Sequence, residues 1–177
     1  MKRRLLSAFL AVMMVLTMAP VAFAGNEAAN TVDDSTSAGT GSAVTKIGDT
    51  GYATLAAAVA AANNGETVTL LTNTAEDITI AQDKNITLDL GSNTLTNNGG
   101  DTITVELGAT LTITGNSEDE NKVGTVDNVT NGKADIVNNG TVILNGGWYL
   151  RSEETGKDSN TSGGNSYYNI LNHGVMT

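Results

Sequence analysis

The feature that most constrains this chain is a short strand, a glycine-containing turn and a second short strand, written repeatedly down the sequence. Its clearest copy is Ile103-Thr104-Val105-Glu106-Leu107-Gly108-Ala109-Thr110-Leu111-Thr112-Ile113-Thr114-Gly115. Apolar and polar side chains alternate there with the period of two that a strand buried on one face requires. Gly108-Ala109 interrupts the run, and the alternation then resumes. An earlier copy is Ile86-Thr87-Leu88-Asp89-Leu90 with Thr94-Leu95-Thr96. Later copies are Ile136-Val137-Asn138-Asn139-Gly140-Thr141-Val142-Ile143-Leu144-Asn145-Gly146 and Ile170-Leu171-Asn172-His173-Gly174-Val175-Met176-Thr177. Thr, Val and Ile favour the pleated, half-buried surface of a sheet. Asn-Gly dipeptides at Asn64, Asn98, Asn131, Asn139 and Asn145 mark turns between them.

The copies align at variable spacing. Leu111, Ile113 and Gly115 match Val142, Leu144 and Gly146 at 31 residues, and Ile136, Asn138 and Gly140 match Ile170, Asn172 and Gly174 at 34. Leu90 is paired with Leu107 at 17. Constant strands with variable connections suit a β-solenoid, whose loops project from a fixed stack. Residues 116–122 and 152–167 read as such excursions. The competing architecture is an antiparallel sandwich with hairpins at the Asn-Gly turns. It would leave sheet edges that no proline or charge pattern guards, and it does not explain matched apolar positions. The expected fold is therefore all-β: a right-handed parallel β-helix.

One stretch is helical instead. Thr54-Leu55-Ala56-Ala57-Ala58-Val59-Ala60-Ala61-Ala62 is alanine-rich, and alanine is the best helix former. Thr54 is placed to cap its start. Leu55, Val59 and Ala62 share a face, and Asn64-Gly65 is the expected left-handed terminator.

Residues 1–24 read as a signal peptide. Lys2, Arg3 and Arg4 precede an apolar run, and Ala22-Phe23-Ala24 supplies the cleavage site. Residues 25–45 contain few large apolar side chains and read as a flexible linker, so the folded domain is expected over 46–177. Removing the signal peptide takes three of nine basic residues and none of nineteen acidic ones, for a formal net charge of −13. Such a surface does not suit nucleic acid, whose phosphates need Lys and Arg clusters. The chain has no Cys, which excludes disulfides and a Cys-linked lipid anchor. Export without Cys suits a bacterial envelope protein.

Residues 52–70, leading from the Ala-rich segment through Gly65-Glu66-Thr67 into Val68-Thr69-Leu70, resemble the opening of right-handed parallel β-helix proteins of the pectin-lyase-like class. Ile86-Thr87-Leu88-Asp89-Leu90, Ala109-Thr110-Leu111-Thr112-Ile113-Thr114 and Gly140-Thr141-Val142 with Gly146-Gly147-Trp148-Tyr149 are similar to the coils that follow. The wording resembles that of large bacterial cell-surface proteins. The resemblance implies that residues 53–64 cap the N-terminal end of the stack. The chain stops at Val175-Met176-Thr177, inside a strand by alignment, so the expectation is a chain truncated at its C-terminus.

Candidate sites are few. Lyases and hydrolases of this resemblance need paired acids or a basic proton acceptor. Asp89 and Glu106, 17 residues apart, are placed to stack as a pair, but no Lys or Arg base accompanies them, and solvated strand-face acids are the plainer account. No catalytic residue is assigned. Glu118, Asp119 and Glu120, flanked by Asn116 and Asn121, are a Ca²⁺ candidate without the ligand spacing of a helix-loop-helix site; otherwise no cofactor is expected. His173 is the sole histidine and reads as turn filler. Trp148 and Tyr149 are the candidate platform for stacking on sugar rings; the plainer reading packs Trp148 at a corner.

The expected function is a noncatalytic secreted or cell-surface module, stalk- or adhesin-like, whose partners are carbohydrate or a host or neighbouring cell surface. The mature chain is expected to carry no membrane span. The alternative is the N-terminal part of a carbohydrate-active enzyme whose active coils lie beyond residue 177.

Overall fold

The computed structural model describes residues 42–116, 123–153 and 168–177. The expected signal peptide, most of the expected linker and the candidate Ca²⁺ ligands Glu118, Asp119 and Glu120 lie outside the described residues.

The chain opens with an antiparallel hairpin, β1 (Thr45–Ile47) and β2 (Thr50–Tyr52), followed by helix α1 (Leu55–Ala61). Next come β3 (Thr67–Leu70), β4 (Thr74–Ala75), β5 (Ile78–Ile80), β6 (Asn85–Asp89), β7 (Thr94–Thr96), β8 (Ile103–Val105) and β9 (Thr110–Thr114). The remainder is β10 (Thr125–Asp127), β11 (Ile136–Asn138), β12 (Thr141–Asn145), β13 (Trp148–Leu150), β14 (Ile170–Asn172) and β15 (Val175–Met176). Thr45, assigned to the linker by composition, is instead the first residue of β1 and is buried.

The strands form three sheets. The first has the order β15-β12-β9-β6-β3-β1-β2, the second β13-β10-β7-β4, and the third β14-β11-β8-β5. From β3 onward every pairing is parallel. Strands three apart in sequence are therefore neighbours, and the chain visits the sheets in rotation. Parallel neighbours cannot be joined by tight hairpins, so the sandwich is excluded. The fold is mostly β, with parallel sheets and one short helix among the described residues.

Register turns the alternation into interior columns. Val68, Leu88 and Ile113 stand in line, as do Ile86, Leu111 and Val142. In the third sheet Ile78, Ile103, Ile136 and Ile170 align. In the second sheet Leu95, Val126 and Tyr149 align. Each fully buried Leu or Ile contributes roughly 1.5–3 kcal/mol by leaving water. The third sheet also carries Ile80 and Val105 into line with Asn138 and Asn172. There Asn138 Nδ2 donates to Asn172 Oδ1 at 2.7 Å and to the Val175 carbonyl at 2.8 Å.

The expected alignments at 31 and 34 residues hold, since Leu111 pairs with Val142 and Asn138 with Asn172. The alignment of Leu90 with Leu107 does not. Between β6 and β9 the matched residues are 25 apart, Ile86 with Leu111 and Leu88 with Ile113. The chain passes through β7 and β8 before returning to the first sheet. Leu107 lies in the turn after β8 and is 76% exposed.

Helix α1 buries Leu55, Ala58 and Val59, with Ala62 buried just after it, and packs against β5 and the first three strands. Thr54 Oγ1 accepts from Ala57 N at 3.1 Å, as expected of its cap. Glu76 adds a carboxylate at the same end, accepting from Leu55 N at 2.8 Å and Ala56 N at 3.0 Å, where the helix dipole favours negative charge. The C-terminus differs from expectation. Ala62 turns to extended geometry (φ −59°, ψ 133°), before Asn64-Gly65 is reached. Lys84 Nζ takes up the Ala60 and Ala62 carbonyls at 2.8 and 2.6 Å, so a cation distant in sequence satisfies acceptors at the helix end, while Gly65 beyond it does adopt the expected left-handed conformation (φ +88°).

Two glycines mark where successive levels touch most closely. A Cβ at Gly140 would strike the carbonyl oxygens of Glu106 and Ala109, and one at Gly174 would strike the Gly140 oxygen.

Leu88→Ala is expected to destabilise the protein by about 2–5 kcal/mol, whereas Leu107→Ala should stay within about 0.5 kcal/mol of wild type. Denaturant unfolding of the two variants checks the contrast.

Candidate functional site

Strand periodicity decides which side chains the second sheet shows to solvent. In β13, Trp148 and Leu150 are exposed while Tyr149 turns inward against the core. The two aromatics therefore do not form one platform; a period of two puts adjacent residues on opposite faces. Trp148, 45% exposed, begins a column that continues through Thr125 to Thr94. Beside it runs the column Leu150, Asp127, Thr96 and Ala75. At the far end Asn73, Thr74, Ala75, Thr94 and Thr96 line a shallow groove of about 370 Å³. Three strand spacings of about 4.8 Å each separate β13 from β4. This face thus offers an aromatic ring, a neighbouring leucine, the hydroxyls of Thr94 and Thr96 and one carboxylate; Thr125, between Trp148 and Thr94, is buried and its hydroxyl donates to the Val123 carbonyl at 3.0 Å. Asp127 is held by Ser152, whose N–H and hydroxyl donate to it at 2.9 and 2.6 Å.

Beneath the ring lies an unusual interior corner. Tyr149 donates its hydroxyl to the Gly146 carbonyl at 3.0 Å, and its own carbonyl accepts from Asn169 Nδ2 at 2.6 Å. Burial, and then the nearby Asp135, push the phenol above the usual tyrosine range. Asp135 itself is 0% exposed. Its Oδ1 accepts from Asn128 N at 2.7 Å, while its Oδ2 has no hydrogen-bond partner. Burial pushes its carboxyl up to about 8; the Asn128 N–H opposes the rise, Asp127 adds to it and Arg151 opposes it. A carboxyl in such surroundings favours its neutral form.

Asp135 was not among the candidates read from the sequence. It immediately precedes the inward-facing Ile136, where strict alternation places an outward side chain. The aligned positions Thr102 and Asn169, before Ile103 and Ile170, are polar as well; that shared polar character is the signal that was available.

The other candidates separate. Asp89 and Glu106 do not stack as a carboxylate pair. Asp89 sits in β6 opposite Thr114 and accepts from Gly91 N at 2.9 Å. Glu106 lies in the turn after β8 and accepts from Gln82 N at 3.0 Å. Each accepts a different backbone N–H, Asp89 from within a strand and Glu106 from a turn. His173 occupies the turn between β14 and β15, its N–H donating to the Asn138 carbonyl at 2.8 Å. Among the described residues there is no group of three His, Cys, Asp or Glu side chains that could hold a metal. No described helix is long and apolar enough to cross a membrane.

Comparison of the chain with family models, curated proteins and solved structures gives no match.

Removing the Tyr149 hydroxyl deletes one partly buried hydrogen bond without opening the ring's packing. Tyr149→Phe is expected to lower stability by about 1 kcal/mol, read as a shift of the denaturant midpoint at constant slope.

Proposed function

We propose that this chain is a noncatalytic secreted or cell-surface module, built as a right-handed parallel β-helix of the pectin-lyase-like kind. It serves as a stalk or adhesin segment and holds carbohydrate on the face that carries Trp148. One observation carries the reading: the chain visits three sheets in rotation and each visit adds a parallel strand in register. Successive levels then stack into a rod, the geometry of a solenoid. Parallel crossovers within a sheet are right-handed in nearly all cases. Helix α1 and the β1–β2 hairpin serve as its N-terminal cap, covering apolar side chains at that end.

The carbohydrate part rests on the outer face of the second sheet. A sugar ring has an apolar face and a hydroxylated edge. An exposed indole matches the first; Thr94, Thr96 and the Asp127 carboxylate match the second. The chain's formal net charge of −10 disfavours acidic glycans by like-charge repulsion, so the class that fits is neutral. Tyr168, 51% exposed beside β14, is the other exposed aromatic among the described residues, but it is not aligned with a threonine-lined groove as Trp148 is, and the threonine-rich faces act as scaffold.

The test is a neutral-glycan array and a cell-adhesion assay with the purified chain, run beside Trp148→Ala. The wild type should bind, and the variant should lose at least about tenfold in affinity with an unchanged unfolding midpoint, because the ring is half exposed. Binding to neither glycans nor cells would reduce the proposal to the stalk alone. Cleavage of a polysaccharide would replace it with the enzyme reading.

A further inference from the structure

The segment 128–135, which joins β10 to β11, is tied down by side chains as well as by backbone bonds such as Thr102 N to the Ala134 carbonyl at 3.0 Å and Asp135 N to the Asn169 carbonyl at 2.9 Å. Asn128 is its hub. Its Nδ2 donates to Gly100 O at 3.0 Å, to Thr102 Oγ1 at 3.1 Å and to Ala134 O at 2.8 Å. Its Oδ1 accepts from Thr130 N at 2.9 Å. Val129 N donates to Asn97 Oδ1 at 2.7 Å, and Ala134 N to Asp101 Oδ1 at 2.8 Å. Asn128 N reaches both Asp135 Oδ1 at 2.7 Å and the Leu150 carbonyl at 2.9 Å. Closing the segment therefore seals Asp135 inside, with one oxygen bonded once and the other unpartnered. A full negative charge there would keep a single hydrogen bond and lose its water, which is costly. A neutral carboxyl avoids that cost.

We propose that Asp135 is a proton-operated latch: the 128–135 segment closes over it most firmly when its carboxyl carries a proton, so the segment opens progressively as pH rises. The charged and titratable groups around it are Asp127 of β10, Tyr149 of β13 and Arg151 just after β13. Asp101 and Lys133, 3.9 Å apart, belong to the outer side of the segment. Thr102 and Asn169, from the third-sheet side, carry no charge. Asp127 strengthens the preference for the neutral form, and Arg151 weakens it.

The sign follows from linkage. In the open segment the carboxyl meets water and has its ordinary value of 3.8; closed, it titrates at about 8. Between those values opening releases a proton, so closure weakens by about tenfold per pH unit. Above the closed value both forms are ionised and the dependence levels off. Closure is fully supported only below the ordinary carboxylate range.

Hydrogen exchange of the intact chain, corrected for intrinsic rates, tests this at the amides of Asn128, Val129, Thr130 and Ala134. Their protection should fall by about tenfold for each unit between about pH 5 and pH 8 and then level off. It should fall at lower opening free energy than that of the Leu88 and Ile113 amides. Asp135→Asn keeps an oxygen for the Asn128 N–H but has no proton to release, so its protection should be flat with pH. Asp127→Asn keeps the acceptor for Ser152 and removes a repelling charge; it should move the levelling-off point to lower pH. A wild-type segment without a slope would overturn the latch. So would an unchanged levelling-off point in Asp127→Asn, a wild-type slope in Asp135→Asn, or segment amides that exchange only together with those of Leu88 and Ile113.

Discussion

Parallel strands joined by short turns leave backbone N–H groups at every corner that no strand partner can reach, and a buried donor left unpaired costs about 1–3 kcal/mol. The rest of this structure depends on how those donors are satisfied. Side-chain oxygens from neighbouring levels take them. Asn64 accepts from Asn85 N, Asn73 from Thr94 N and Asn97 from Val129 N. Asp77 accepts from Asn98 N and Gly100 N, Asp101 from Ala134 N, and Glu76 from the first two amides of α1. Most of these contacts join residues 20 to 33 positions apart. They bind one level to the next where the ladders do not run.

That pattern changes the meaning of the chain's acidity. From composition, nineteen Asp and Glu against nine Lys and Arg suggest solubility and loose cation binding. In the fold, Glu66, Glu76, Asp77, Asp89, Asp101, Glu106 and Asp127 each accept a backbone N–H. A carboxylate suits this role because it accepts at two oxygens and its hydrogen bonds to N–H groups are charge-assisted. Asn performs the same service where a donor is needed too, as Asn128 and Asn138 do by giving N–H to carbonyls while taking it from turns.

Much of the fold was legible because burial on one face writes a period of two. Leu111 with Val142, Ile113 with Leu144, and Asn138 with Asn172 were readable because those units share a strand-turn-strand length. Leu107 misled because alternation ran past the end of β8: Val105, Glu106 and Leu107 continue the pattern although only Val105 is in the strand. Alternation records which side chain is apolar, not where the backbone leaves the ladder. The helix start was legible from Thr54, whereas the cation that takes up carbonyls at its end comes from Lys84, more than twenty residues away, which no local signal reveals. The candidate site divides in the same way. That Trp148 and Tyr149 face apart follows from strand parity, but the partners beneath them, Asp135 and Asn128, are brought there by level-to-level stacking.

Trp148 and Leu150 carry the exposed apolar surface of the second sheet, while outward positions elsewhere turn apolar too, at Ile143, Val137 and Leu171, which stand in line with threonines. Threonine there meets two demands at once: its branched Cβ suits a strand and its hydroxyl suits water. Trp148 and Leu150 continue the columns of Thr94 and Thr96, yet they present apolar surface at the same places. Their side chains face away from the core, so folding gains little from their size. Isolated exposed apolar residues are ordinary, but these two share a face above a threonine-lined groove, with the Asp127 carboxylate in the next strand. An aromatic anchor beside hydrogen-bonding groups is the arrangement by which a surface holds an amphipathic ligand. The scaffold explains the threonines, and Trp148 is the exposed ring that departs from them.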